Sequence, residues 1–247
     1  MKVSVIIATY QRKNGNSVLY LKNMFKILEA QTYKDFKVFI VGDSYENNTE
    51  FENFCKSYNG DIYYSNSDVH FRNCFNIKKN MWSSGGINAR LIGIEKAISE
   101  NYDYYFHLDD DDYWEPNHIE NYINTINKYD GKLDFIVSKS EFFNIVLPRA
   151  YVHNENINNF IIKPCDIVHA SWCINLKTIG NDFINWYKER INIINNFINK
   201  KNKEYYLEPF DSIILGKLNK LQKEKKINVI CLKTITCKKK TEGEILE

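Results

Sequence analysis

Four consecutive aspartates, Asp109 to Asp112, follow a run of aromatic and apolar residues in the segment YYFHLDDDDYWEP. Carboxylates gathered at one point repel one another, so a folded protein tolerates them best where a cation binds. Carboxylate oxygens suit Mg²⁺ or Mn²⁺, and protein-bound Mg²⁺ commonly takes further ligands from substrate phosphates. The cluster therefore predicts a divalent cation that is bound together with a diphosphate.

Three simpler explanations of the aspartate cluster are disfavoured. A calcium-binding EF-hand loop fits poorly because Tyr113 and Trp114 stand where a ligand and a turn glycine are needed. Capping of the helix that begins near Pro116 explains Asp112 at most. A solvated acidic patch does not explain the apolar strand in front of the cluster.

Strand-like and helix-like segments alternate through the first half of the chain. β-Branched or aromatic runs predict strands at 2–7, 36–41, 61–65 and 102–108, and helices are predicted at 17–30, 48–58, 87–100 and after Pro116. This alternation predicts a mostly parallel sheet with helices on both faces.

Polar stretches follow several of the predicted strands. ATYQR (8–12) follows the first strand, GDS (42–44) follows the second, and the aspartates follow the fourth. Sheets of this class bind ligands at the carboxyl ends of their strands. We therefore expect the three stretches to lie together on one rim.

The alternation loosens after residue 133. Strands are predicted at 133–143, 144–153 and 227–232, and helices at 181–200 and 208–224. Neither a Gly/Ser-rich or Pro-rich linker nor an internal repeat is evident, which favours a single domain over 1–247. The lysine-rich segment 231–247 is predicted to be a basic tail, solvated or in weak contact with an anionic membrane surface.

Composition restricts the classes of partner and compartment. The chain has 247 residues and a formal net charge of +2, so bulk charge does not indicate a nucleic-acid partner. No apolar stretch approaches the ~20 residues of a membrane span, and the first residues lack a signal-peptide pattern. Six scattered cysteines without a CxxC pair predict reduced thiols in a cytoplasmic protein. Abundant Asn, Lys and Ile suggest a bacterial or viral genome of low GC content; the oligomeric state has no sequence signal.

Four segments together carry a resemblance to a known family. They are VSVIIATYQR (3–12), QTYKDFKVFIVGDSYENNT (31–49), GGINARLIGIEKA (85–97) and FHLDDDDYWEP (106–116). Their order and spacing resemble the family 2 glycosyltransferases over roughly residues 2–125. The later segments HASWCINLKTIG (169–180) and EPFDSIILGKL (208–218) are similar to the family more weakly.

The resemblance implies a fold and an activity. Family 2 enzymes have the GT-A fold, a Rossmann-like, mostly parallel sheet flanked by helices, and they transfer a sugar from a nucleotide donor with inversion. The expected division is a nucleotide-sugar-binding half at 1–125 and a looser acceptor-binding half at 126–230. A UDP-sugar donor and Mn²⁺ or Mg²⁺ are implied, with a glycan, lipid-linked or protein acceptor.

The resemblance also implies roles for residues on the donor side. Those expected around the nucleotide are Ala8, Thr9 and Tyr10 at the base, Arg12 at the loop or the diphosphate, Asp43 at the uracil N–H, Arg90 at the diphosphate, and Asp109 and Asp110 at the ribose and nucleotide. Asp111 is the implied metal ligand, with the register open by one residue. Gly42 and Leu91 replace an aspartate and an asparagine that the family often has at these positions. Without the family, Asp43 reads equally well as a turn residue and Arg90 as a surface arginine.

The acceptor half must supply a general base. The resemblance favours Asp211 as this base, with Glu208 as the alternative. The simpler explanation of Asp211 is a carboxylate that only stabilises the N-terminus of its helix. His169, Ser171 and Trp172 fall where the family builds its acceptor wall. Trp172 suits a sugar platform, although a core position is the commoner use of tryptophan.

Rival functions make different demands on the sequence. A sugar-1-phosphate nucleotidyltransferase needs a glycine-rich, arginine-bearing loop directly after the first strand, and a dehalogenase-type phosphatase needs an aspartate nucleophile there. The segment ATYQRKNG (8–15) has neither feature. A non-catalytic nucleotide- or carbohydrate-binding module on the same fold stays open.

Overall fold

A computed structural model describes residues 1–75, 78–149, 156–199 and 206–239. Within these ranges one sheet contains the strands β1 (Val3–Thr9), β2 (Phe36–Gly42), β3 (Ile62–Asn66), β4 (Tyr104–Asp109), β5 (Asp112–Trp114), β6 (Phe135–Phe142), β7 (Ile145–Leu147), β8 (Trp172–Asn175) and β9 (Val229–Lys239). The α-helices are α1 (Ser17–Glu29), α2 (Asn48–Cys55), α3 (Lys78–Ser84), α4 (Ile87–Ser99), α5 (His118–Lys128), α6 (Leu176–Asn199) and α7 (Phe210–Lys223). Short 3-10 helices cover Arg72–Cys74 and His169–Ser171.

The sheet has two parts that differ in strand direction. β3, β2, β1 and β4 are parallel neighbours in that order, as the alternating pattern predicts. β8 then joins β4 in the antiparallel direction, and β6, β9 and β5 continue the sheet. Because the first four strands are parallel, β1, β2 and β4 all end at the same rim.

Helices cover both faces of the sheet. α1, α2 and α5 contribute to one hydrophobic cluster, and α4, α6 and α7 contribute to the other. The apolar runs of β1 and β2 are buried throughout their centres because helices shield both of their faces. This double cover is the layered architecture predicted from the alternation.

The late part of the chain differs from the sequence expectation. The segment predicted to be a basic tail from residue 231 continues as β9 to Lys239, and 240–247 lie outside the described residues. Cys231 and Cys237 point into the cores and β5 pairs along the end of the strand, which keeps it in the sheet. The strand predicted at 144–153 is confined to β7 within the described residues, and 150–153 are not among them.

Two sequence-level expectations concern the chain as a whole. Four of the cysteines are buried and all six are free thiols, as predicted. Among the described helices, none combines the length and the apolar character that a membrane crossing requires.

Candidate active site

A cavity of roughly 820 Å³ lies at the rim where β1, β2 and β4 end, a size typical of ligand sites. Residues predicted from the sequence that line it are Ala8, Thr9, Tyr10, Arg12, Asp43, Arg90, Asp109, Asp110, Asp111, His169 and Asp211. The strand register brings them together, since Ala8 pairs with Asp109 across β1 and β4.

Asp43 lies at the end of β2 and is buried. Its carboxylate accepts a hydrogen bond from the Gly86 N–H at 2.9 Å, and its own N–H donates to the Thr9 carbonyl at 2.6 Å. Gly86 has a φ of 70°, and a Cβ there would lie 3.2 Å from the Ala8 Cβ, so glycine suits the start of α4. Burial raises the pKa of Asp43, while the Gly86 N–H and nearby Arg72 oppose the rise.

Arg72 is a cavity residue that the sequence analysis missed. Its guanidinium carbon lies 3.8 Å from the centre of the Tyr10 ring, in a cation–π arrangement. A Cβ at Gly85 would lie 2.5 Å from Arg72 Nη2, so the glycine leaves room for this guanidinium. In the sequence, only the Gly85-Gly86 pair indicates that another group approaches closely here, and it does not identify Arg72 as that group.

Asp110 is held by the loop that follows β1. Arg12 donates to both carboxylate oxygens at 2.7 and 2.8 Å, and the Thr9 hydroxyl donates to one of them at 2.6 Å. The Arg12 guanidinium also lies 3.7 Å from the centre of the Tyr20 ring. Asp110 and Arg12 therefore form a buried ion pair that fixes the loop against the end of β4.

Asp109 pairs with a different arginine. Arg90, in the first turn of α4 as predicted, donates to Asp109, and His107 Nε2 lies 3.3 Å from the same carboxylate. Burial opposes the ionisation of Asp109, yet the attraction of Arg90 and His107 holds its pKa well below the ordinary value. Asp109 is therefore an ionised carboxylate on the cavity floor.

Asp111 and Asp112 share one cation, the ammonium of Lys239. Lys239 Nζ lies 2.8 Å from Asp111 and 2.9 Å from Asp112, because β9 pairs with β5 in the register that sets Lys239 opposite Asp112. Burial raises the pKa of Asp112 to about 7, aided by repulsion from Asp109 and Asp111 and opposed by Lys239. The four aspartates thus face three basic side chains, Arg12, Arg90 and Lys239, and carry an excess of negative charge when all are ionised.

The donor set of the cluster fits a hard divalent cation. Asp109, Asp111 and Asp112 each bring a carboxylate oxygen within 4.8 Å of the others. Asp112 Oδ1 is buried and has no hydrogen bond among the described residues, despite its proximity to the ammonium. Several carboxylate oxygens at one point are the ligands that Mg²⁺ and Mn²⁺ prefer.

Asp211 also lines the cavity, in the first turn of α7. Within the described residues no hydrogen bond or ion pair engages its carboxylate. His169 lines the cavity and stacks on His107 with ring centres 4.8 Å apart. Burial lowers the pKa of His169 well below its ordinary value, as do the charges of His107 and Arg90. His169 is therefore neutral at pH 7.

Three residues predicted for the acceptor half do not line the cavity. Ser171 and Trp172 are buried, because the 3-10 helix that ends at Ser171 leads directly into β8, which begins at Trp172 in the interior of the sheet. The Ser171 hydroxyl donates to the Val168 carbonyl at 2.6 Å, and Trp172 packs on the His169 ring. Glu208 is exposed outside the cavity, and its backbone carbonyl accepts from Arg190 at 2.7 Å.

Exposed aromatic side chains also border the cavity, although the sequence analysis did not single them out. Trp82 on α3 is 63% exposed, Phe143 in the β6–β7 turn 56%, and Tyr206 ahead of α7 51%. We call these three residues the aromatic rim. Isolated exposed rings are ordinary, but three from separate elements around one cavity form a surface suited to a ligand with apolar faces.

Comparison with known proteins finds a glycosyltransferase family and relatives that are named glycosyltransferases. The family model for glycosyl transferase family 2 matches residues 4–205. An uncharacterized glycosyltransferase, R139, of Acanthamoeba polyphaga mimivirus is 31% identical over 191 residues, covering 74% of this chain and 76% of that protein. An uncharacterized glycosyltransferase of Rickettsia felis is 30% identical over 131 residues, which are 53% of this chain and only 18% of the relative.

Solved structures share the fold at low sequence identity. S. aureus TarS 1–349 in complex with UDP-GlcNAc has a TM-score of 0.61 and 14% identity, covering all of this chain and 60% of that one. The mannosyltransferase PcManGT from Pyrobaculum calidifontis, in complex with GDP-Man and Mn²⁺, has a TM-score of 0.57 and 10% identity, covering 96% of this chain and 56% of that one. The fold is the GT-A fold that the sequence predicted. With the family match over most of its length, this chain belongs to glycosyl transferase family 2.

Proposed function

We propose that the protein transfers a sugar from a UDP-sugar to a saccharide hydroxyl, with inversion and with a divalent cation bound at the acidic cluster, Asp109 to Asp112. The observation that carries this proposal is one cavity that joins Asp43, the acidic cluster and Asp211. In the proposed division, residues 1–125 bind the donor and residues 126–230 contribute most of the acceptor side.

Uracil recognition is assigned to Asp43 and Arg72. A carboxylate accepts the uracil N3–H, which cytosine lacks, and a guanidinium donates to a uracil carbonyl. Arg72 lies against Tyr10 and close enough to Asp43 to oppose the rise in the pKa of that carboxyl, so the two groups act at one place. TarS with UDP-GlcNAc supports a uridine donor by analogy of fold.

The acidic cluster is assigned to the diphosphate. A divalent cation held by Asp111 with Asp109 or Asp112 would supply Lewis-acid stabilisation of the charge that develops on the leaving diphosphate. The Arg12–Asp110 and Arg90–Asp109 pairs hold Asp110 and Asp109 in place beside that cation position. Preorganised charges of this kind need little rearrangement during the reaction.

Asp211 is assigned as the general base. The acceptor hydroxyl gives its proton to the Asp211 carboxylate while its oxygen forms a bond to the anomeric carbon, and the bond from that carbon to the diphosphate oxygen breaks. Attack opposite the leaving group inverts the anomeric configuration. The carboxylate lines the cavity and is not engaged by a partner within the described residues, as a proton acceptor requires.

The aromatic rim favours a saccharide acceptor. Flat aromatic faces pack against the C–H faces of sugar rings while leaving the hydroxyls in water. Trp82, Phe143 and Tyr206 border the same cavity as Asp211, so a sugar packed on them would present a hydroxyl near the base. Trp172, for which a sugar platform was the alternative to a core position, is buried and does not line this cavity.

The test is a thermal-shift panel of UDP-, GDP-, dTDP- and CMP-sugars, each with and without Mn²⁺. Binding to the native state raises the melting temperature by mass action, and we expect the largest shift with UDP-sugars and Mn²⁺. Hits are then assayed for UDP release with and without an oligosaccharide mixture. A shift with purine nucleotides only, or tight UDP binding without any release of UDP, would refute the proposed transferase function.

A further inference from the structure

The basic partners of the four aspartates are unequally distributed. Asp109 and Asp110 each have an arginine of their own, whereas Asp111 and Asp112 share the Lys239 ammonium. The implied metal ligand is therefore the carboxylate that a lysine already neutralises. A metal ion and the Lys239 ammonium are both positive and would bind the same carboxylate, so each disfavours the other on Asp111.

The backbone delivers Lys239 to this position. The antiparallel pairing of β5 with β9 places Lys239 opposite Asp112, and Lys238 opposite Tyr113. Since side chains alternate across a strand, Lys238 points away and pairs instead with Glu115 at 2.9 Å. Neighbouring lysines on one strand thus have different partners, Glu115 for Lys238 and the aspartates for Lys239.

The two kinds of cation also differ in how they are held. An arginine pairs with a carboxylate through a planar fork, as Arg12 does with both oxygens of Asp110. Lysine is a point charge on a flexible four-carbon stem, which moves away from a carboxylate without disturbing the strand. Lys239 is therefore the displaceable member of the three cations.

We infer that Lys239 is a built-in competitor of the divalent cation, which neutralises Asp111 and Asp112 in the metal-free protein and must leave Asp111 when metal binds. The lysine stabilises the metal-free cluster and thereby weakens metal affinity. The metal site it controls belongs to the proposed function, but metal binding itself is measurable without any donor or acceptor. A failure of sugar transfer therefore leaves the competition measurable, and an unchanged metal affinity in Lys239→Met leaves the proposed transfer untouched.

The primary experiment measures Mn²⁺ and Mg²⁺ affinity by calorimetry for the wild type, Lys239→Met and Lys238→Met. Removing one unit of positive charge beside Asp111 is expected to tighten binding about tenfold in Lys239→Met, since ~1.4 kcal/mol of relieved competition corresponds to tenfold in affinity. Lys238→Met is the matched control and is expected to bind like the wild type. Unchanged or weaker metal binding in Lys239→Met, or no metal binding in any of the proteins, would overturn the inference.

A stability measurement gives a second readout. In EDTA, Lys239→Met should melt at a lower temperature than the wild type, because two neighbouring carboxylates lose their counter-charge, and Mn²⁺ should restore most of that loss. Lys239→Arg keeps the charge and is expected to retain the weak metal affinity of the wild type. Lys239→Gln serves if the methionine variant does not fold, and equal Mn²⁺ affinity in the Gln and Arg variants would contradict the competition.

Discussion

The two walls of the cavity are built in different ways. One, the strand-end wall, consists of Thr9, Asp43 and Asp109 to Asp111, at or just after the ends of parallel strands. The other, the loop wall, consists of the aromatic rim with His169 and Asp211, carried by α3, α7, the β6–β7 turn and a 3-10 helix. Buried ion pairs and hydrogen bonds hold the first wall, whereas the second exposes large rings and an unengaged carboxylate.

The difference teaches where rigidity and adaptability lie. On the strand-end wall, Asp110 is held by three hydrogen bonds from two side chains, so its position is over-determined. On the loop wall, Trp82 and Tyr206 have lysine ammonium groups near their ring faces, Lys78 at 4.9 Å and Lys79 at 5.6 Å. We therefore expect the strand-end wall to fix donor and metal, and the loop wall to determine the acceptor.

The largest effect should follow from removing the proposed base on the loop wall. Asp211→Asn is expected to lower kcat on the order of 10³-fold, because the variant cannot accept the acceptor proton. UDP binding should be unchanged, since Asp211 lies outside the strand-end wall. Glu208→Gln is the matched control and should retain wild-type turnover, because Glu208 does not line the cavity. Turnover within tenfold of wild type in Asp211→Asn would remove the base assignment.

The next largest effect should be on folding. Asp110→Ala leaves Arg12 as a buried unpaired charge, and the free energy of unfolding should fall by about 3–4 kcal/mol in urea titrations. Glu52→Ala breaks an exposed pair with Lys56 and should cost under about 0.5 kcal/mol. If both variants unfold at the same urea concentration, the strand-end wall is not held by its ion pair.

Base recognition should respond more moderately. Arg72→Ala is expected to weaken UDP binding about 30-fold through loss of a charge-assisted hydrogen bond worth about 2 kcal/mol. Affinity for inorganic diphosphate should stay constant, since the assigned contact is to the base. An equal loss of affinity for UDP and for inorganic diphosphate would mean that Arg72 contacts the diphosphate and not the base.

A pH experiment tests the contribution to stability of a buried histidine that lies outside the cavity. Burial lowers the pKa of His118 to about 3, while its Nδ1–H donates to the Thr236 carbonyl. Since the unfolded chain takes up a proton below pH 6.5 and the folded His118 does not, stability should fall as the pH drops from 6.5 towards 3. The loss at pH 5.5 should be about 1.4 kcal/mol for this group.

His118→Asn removes that titration. Between pH 4 and 6 the unfolding free energy of the variant should therefore depend less steeply on pH than that of the wild type, by the equivalent of one bound proton. The lowered pKa values of His107 and His169 at the cavity account for part of the remaining slope. An unchanged slope in the variant would mean that His118 takes up its proton in the folded state.

The smallest effect should come from the aromatic rim. Trp82→Ala is expected to raise the acceptor KM about fivefold, in line with ~1 kcal/mol for a ring contact, and to leave the UDP affinity unchanged. Trp172→Phe, at a side chain only 1% exposed, should lower stability without a selective change in acceptor KM. The reverse pattern would restore Trp172 as the sugar platform.

Residues at the ends of regular strands were predictable from the sequence, whereas residues in irregular segments were not. Thr9, Asp43 and Asp109 were predicted to share a rim because each follows a buried run, and parallel strands end at one edge. Arg72 lies in a short 3-10 helix without periodic signal, and its stacking on Tyr10 depends on space left by Gly85. The sequence predicted a solvated tail at the end of β9 because Lys238 and Lys239 are charged. The acidic residues that pair with these lysines are distant in the chain.

The sequence by itself determined the family, the layered α/β fold and the strand-end carboxylates, because period-2 and helical patterns and strand-end motifs are local properties. Only the tertiary structure decided which cation each aspartate receives, that Trp172 faces the core, and that Trp82 and Asp211 border one cavity. These contacts join residues far apart in the chain, and their partners are selected by sheet order and by packing. Charge balance at the acidic cluster is the clearest case, since Lys239 reaches Asp111 across 128 positions of sequence.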